Sequence, residues 1–220
     1  MRAGRGRAGA MKKRQPLYIL IPIFLLAWIA GCDVGQGEAR GRARFGNCSP
    51  CHGVDGAGNR DLGAPAIAGL PAWYVEAQLH SFQDGVRGAH PSDDAGLRMR
   101  PMSRTLRGND DIVTVAAYVE KLSGPKPERR VVGDAAKGKS LYQTCAACHG
   151  ERAEGKKDQA APDLVKTSDW YQLAQLEKFK KGIRGTVPGD AKGAQMRAAV
   201  ATLADEAAMK DVIAYIQTLN

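Results

Sequence analysis

Cys48-Ser49-Pro50-Cys51-His52 and Cys145-Ala146-Ala147-Cys148-His149 are one pattern written twice, the second displaced from the first by 97 positions. The same displacement carries Pro65 to Pro162, Trp73-Tyr74 to Trp170-Tyr171, Phe82 to Phe179, Arg87-Gly88 to Arg184-Gly185, Met99-Arg100 to Met196-Arg197, Leu106 to Leu203 and Tyr118 to Tyr215, with no gap. An ungapped repeat of this length signals two copies of one folding unit. Ser123-Gly124-Pro125-Lys126-Pro127-Glu128 joins them, and two prolines and a glycine there favour a linker over helix. The expected division is a leader over 1–31, a first domain over 32–124, a linker over 125–133 and a second domain over 134–220.

Working outward, each unit reads as helical. Ile112, Val115, Ala116, Val119 and Leu122 recur at helical spacing, as do Met209, Val212, Ile213, Ile216 and Leu219. Asn109-Asp110 are plausible capping residues for the first of these helices. Middle helices are expected over about 72–84 and 169–181. A further helix precedes each cysteine pair, where Gly41 and Phe45 match Gly138 and Tyr142; a small residue beside an aromatic lets the first and last helices of a unit cross closely. No run of alternating β-branched residues argues for a sheet, so the fold class is all-α.

C-x-x-C-H has a chemical reason for its spacing: two thiols add across the two vinyl groups of a haem, and the adjacent histidine then lies under the iron. A zinc site would need more ligands at suitable spacing, and the remaining histidines, His80 and His90, fall on Glu177 and Val187 in the repeat. A redox dithiol of the thioredoxin kind would need a βαβ pattern, which is absent. Two haem c groups are therefore expected, held by Cys48, Cys51 and His52 and by Cys145, Cys148 and His149. The low aromatic content, 6%, leaves each unit a thin core that a large apolar cofactor would complete. For the sixth iron ligand, Met99 and Met196 are the methionines related by the repeat. Met102 falls on Ala199 and remains open as packing or as a ligand, and Met209 falls on the core position Ile112.

Arg2, Arg5, Arg7, Lys12, Lys13 and Arg14 supply six of the nine formal positive charges. The rest is close to balanced, which argues against a nucleic-acid partner. The basic stretch precedes an apolar run, Leu17 to Ala30, and then Gly31-Cys32. That is the layout of an export signal, with Met11 a second possible start. Ile29-Ala30-Gly31-Cys32 resembles the lipobox of bacterial lipoproteins, which implies that Cys32 receives a lipid. Cys32 accounts for the fifth cysteine, so none remains for a disulfide.

The whole of residues 33–220 resembles the dihaem class I cytochromes c of the cytochrome c4 type. The C-x-x-C-H motif, a Gly/Asp-rich loop with a proline, a helix opening at an aromatic pair, a methionine followed seven residues later by leucine, and a terminal helix with Ala-Tyr come in the family's order. The resemblance implies that His52 and Met99 ligate one iron and His149 and Met196 the other. It also implies that Pro65 and Pro162 lie beside the proximal histidines, their carbonyls fixing Nδ1. Trp73, Tyr74, Trp170 and Tyr171 then pack on haem edges or in the core, and Arg87 and Arg184 bind propionates or lie on the surface. The implied role is single-electron transfer without catalysis, between redox proteins such as a quinol-oxidising complex and a terminal oxidase, on the periplasmic side and tethered by the Cys32 lipid. A fixed cytochrome subunit of a larger oxidoreductase is the neighbouring reading, and a dihaem peroxidase or dehydrogenase is a third.

Overall fold

The computed structural model describes residues 37–127 and 129–219, besides Met1. The expected leader beyond Met1, and Cys32 with it, lie outside the described residues. In the first unit α1 covers 37–45, followed by α2 (Ser49–His52), α3 (Ala72–Gln83), α4 (Asp94–Ser103) and α5 (Asn109–Lys121). The second unit has α6 (Ala135–His149), α7 (Asp169–Lys180), α8 (Ala191–Ala201) and α9 (Glu206–Ile216), with a closing 3₁₀ turn over Gln217–Leu219. Among the described residues the only β-type pairings are isolated bridges, Asn59 with Ala64 and Lys156 with Ala161.

The repeat explains most of this, and so do its differences. α6 runs unbroken into the second motif, whereas the first motif sits on a separate short helix. Pro50, which stands where the second unit has Ala147, cannot donate to a preceding carbonyl, but early in α2 its missing N–H costs nothing. α5 begins at Asn109 itself; Gly108, at φ 81°, is the residue before it, and Asp110 and Asp111 favour the helix from its first turn. α4 and α8, the helices that carry Met99 and Met196, were not legible from periodicity. Each starts at an aspartate whose side chain accepts from a backbone N–H three residues on, Asp93 from Gly96 (3.0 Å) and Asp190 from Gly193 (2.8 Å).

Each unit has its own core. Phe45, Leu79, Leu106, Ile112, Val115 and Val119 are buried together in the first; Tyr142, Phe179, Val200, Leu203, Met209, Val212 and Ile216 are among those buried together in the second. The apolar stripes of α5 and α9 are thus the inner faces of those helices. First and last helices cross at Gly41 and Gly138. A Cβ on Gly41 would collide with the Thr114 carbonyl oxygen, and one on Gly138 with that of Asp211. The aromatic a turn later packs on the last helix, Phe45 on Tyr118 (5.3 Å between ring centroids) and Tyr142 on Tyr215 (5.4 Å).

Candidate haem centres

His52 and His149 are buried. Each turns Nδ1 to a backbone carbonyl thirteen residues on: Pro65 at 2.9 Å and Pro162 at 3.0 Å. A carbonyl can only accept, so Nδ1 must carry the proton and Nε2 presents its lone pair away from the loop. Burial lowers both imidazoles from the ordinary histidine value, and the proline carbonyl opposes it only in part. The neutral ring with a free Nε2 is the form that binds a metal.

The two thiols of each motif differ. Cys51 and Cys148 are exposed, while Cys48 and Cys145 lie against the cores. Burial, with a smaller contribution from the second thiol, pushes Cys48 and Cys145 up to about 11. Met99 packs against the first core together with Cys48, and Met196 against the second together with Cys145. Met102 is 41% exposed and takes no part in that cluster; Met209 is buried at 3%. Among the described residues no three His, Cys, Asp or Glu side chains gather as a metal cage. Each site therefore offers one fixed imidazole, two thiols at a helix end and one thioether in an apolar wall. That donor set fits a covalently held haem and fits no structural zinc site.

The arginines of the two Arg-Gly pairs are not surface residues. Arg87 is buried at 8% and lies in the seam between the units. It donates to Gln78 Oε1 of its own unit (2.6 Å) and to the Tyr171 hydroxyl (2.9 Å) and Gln175 Oε1 (3.2 Å) of the other. Arg184 mirrors it, donating to Gln175 (2.9 Å) and to Gln78 of the first unit (3.2 Å). Each guanidinium stacks on the phenylalanine of its own unit, Phe82 or Phe179, at 4.5 and 4.6 Å. Burial alone would raise the Tyr171 phenol, but the cations, Arg87 first, outweigh it and lower it. Arg87 Nε is buried without a partner. A Lys178–Asp93 pair at 2.5 Å adds a one-sided link across the same seam. Of the four residues of the two aromatic pairs, Tyr171 thus has its hydroxyl engaged by an arginine of the other unit.

Two such sites on this helical frame define a c-type cytochrome with two covalent haems. The chain belongs to the cytochrome c family, whose description "Cytochrome c" matches residues 38–123 and again 135–220. It is similar to the cbb3-type cytochrome c oxidase subunit FixP of Bradyrhizobium diazoefficiens, 34% identical over 69% of this chain and 53% of that protein. It thus spans about half the length of that relative. It is also similar to a thiosulfate dehydrogenase electron acceptor of Stutzerimonas stutzeri, 31% identical over 69% of this chain and 71% of that one. In structure it resembles reduced cytochrome c4 from Pseudomonas stutzeri (TM-score 0.64, 26% identity, 83% of this chain and 98% of that one). It also resembles the thiosulfate dehydrogenase TsdBA of Marichromatium purpuratum (TM-score 0.65, 29% identity, 82% of this chain and 40% of that one).

Proposed function

We propose that the chain is an exported dihaem electron carrier whose irons are ligated by His52 and Met99 in one unit and His149 and Met196 in the other. The haem supplies a one-electron iron couple; the chain's residues hold it and decide what reaches it. The observation that carries the reading is the inward packing of Met99 and Met196, each beside a motif cysteine, while Met102 faces solvent. His52 with Met99, and His149 with Met196, would hold the two irons, and a haem so held would supply a one-electron couple and offer a small substrate no open coordination position. His52 and His149 keep their orientation through the Pro65 and Pro162 carbonyls, and little needs to rearrange between oxidation states. Its partners are redox proteins of a membrane respiratory chain, donor and oxidase alike, and lipid on Cys32 after loss of residues 1–31 keeps it on the periplasmic face of a membrane.

The similarity to FixP, by its name a subunit of an oxidase, favours a second reading in which the chain is a resident subunit of such a complex. The test common to both is carbon monoxide binding to the reduced, haem-loaded protein. No change in visible absorption is expected for the wild type, and one reactive haem is expected in each of Met99→Ala and Met196→Ala. A wild-type haem that binds carbon monoxide readily would shift the assignment to a dihaem enzyme.

A further inference from the structure

The two units share a frame but not a surface. On the outward side of α4, Leu97 and Pro101 stand on successive turns, as do Arg98 and Met102, and all four are exposed. Leu97 and Met102 are 40% and 41% exposed, and Leu62, beside the stripe, is 45% exposed. Arg98 is tied to Leu62, donating to its carbonyl at 3.0 Å, and Arg104 donates to the Gln83 carbonyl at 2.9 Å. These carbonyls fix the guanidiniums without neutralising them. Among the described residues neither these two nor the exposed Arg107 forms an ion pair. Asp94, at the start of α4, is the one carboxylate on that helix beyond its cap.

The second unit provides the control. At the positions 97 residues on from Leu62, Leu97, Arg98, Met102, Arg104 and Arg107 it has Gln159, Ala194, Gln195, Ala199, Ala201 and Ala204. Every exposed apolar or cationic group of the stripe is removed, while Met99 and Met196, on the inner sides of the two helices, are kept. The second unit builds the same helical frame without these six side chains. Exposed leucine and methionine within a rim of uncompensated arginines is the composition of a docking face: an apolar centre that adapts, and charges that steer.

We propose that this stripe is where a redox partner docks, so that electrons pass between that partner and the first unit. The partner it fits is a redox protein with carboxylates around an apolar centre, because unpaired arginines attract a carboxylate rim and repel a basic one. The assignment rests on the carrier reading above.

The probe is plant plastocyanin, an acidic-faced copper protein, in its oxidised form, mixed in stopped flow with the reduced, haem-loaded full chain at several salt concentrations. The wild-type second-order rate should fall as salt rises. The variant Leu97→Ala/Arg98→Gln/Met102→Ala/Arg104→Ala/Arg107→Ala should lose about tenfold or more at low salt, together with most of the salt dependence. Adding Ala194→Leu/Gln195→Arg/Ala199→Met/Ala201→Arg/Ala204→Arg to that variant should restore both, through the other haem. A cationic cobalt complex as oxidant checks that each variant remains redox-competent. A competent stripe variant with unchanged plastocyanin kinetics overturns the proposal. Carbon monoxide binding by the wild type would instead overturn the carrier reading, whatever the stripe variant does.

Discussion

Arg87 of the first unit donates to the hydroxyl of Tyr171 in the second at 2.9 Å, and Arg184 of the second donates to Gln78 Oε1 of the first at 3.2 Å. The two units are thereby held by bonds that neither unit can make alone. Arg87→Ala should cost about 2 kcal/mol, the range for hydrogen bonds to charged groups. Tyr171→Phe should cost about 1 kcal/mol. Denaturant melts of the haem-loaded protein would measure both. The double variant should cost less than the sum, since the two residues share one bond; strict additivity would mean that the bond contributes nothing.

Lys178 and Asp93 join the units on one side only, at 2.5 Å. Burial works to raise the Asp93 carboxyl, but Lys178 and the Gly96 N–H together bring it below the ordinary carboxylate value. A carboxyl lowered in the folded state stabilises above its unfolded value, near pH 4, and loses that contribution as pH falls through its lowered value. Stability of the wild type should therefore drop in that acid range, and Asp93→Asn should flatten this part of the profile. Urea midpoints from pH 6 to pH 3 would show it; parallel profiles for the two proteins would exclude the pair as a contributor.

The close helix crossings should tolerate no methyl group. Gly41→Ala would press a Cβ on the Thr114 carbonyl and the Tyr118 Cβ, and Gly138→Ala on the Asp211 carbonyl. Backbone cannot yield as a flexible side chain would, so each substitution should destabilise by about 1–3 kcal/mol. Thermal melts of the two variants would check this, and a loss below about 0.5 kcal/mol would show that the helices slide apart freely.

Ala160 holds φ at 54°, where the first unit has Gly63 at 64°. A side chain in this region costs about 1–2 kcal/mol, partly offset because alanine restricts the unfolded chain more than glycine. Ala160→Gly, at an exposed site, should be neutral or stabilise by less than about 1 kcal/mol, as read from denaturant midpoints.

The repeat made much of this legible in advance. Thiol and histidine spacing pointed to the cofactor, and the register related Met99 to Met196; Met102, which has no such counterpart, is exposed. The faces of α5 and α9 followed from a 3.6-residue period. The seam did not follow, because a buried arginine has the same letter as an exposed one and its partners lie 84 and 88 residues away. Nor did α4 and α8: Gly96, Pro101 and a cluster of arginines blur any apolar period, and the aspartates that start these helices read equally well as loop residues. The stripe on α4 was in the sequence throughout, but only the exposure of Leu97 and Met102 separates a surface from a core.

The reciprocal bonding of Arg87 to Gln175 and Arg184 to Gln78 gives the two halves one self-complementary seam. A patch that is its own complement is the mark of a two-fold dimer, and here both patches lie on one polypeptide. Fusion by a short linker replaces an encounter between molecules with one within a molecule, so the pairing no longer depends on concentration. It also ends the rule that both halves must be identical. On one polypeptide one half carries leucine, methionine and arginine on its outer helix where the other has alanine and glutamine, so a near-symmetric pair is a molecule with two different ends.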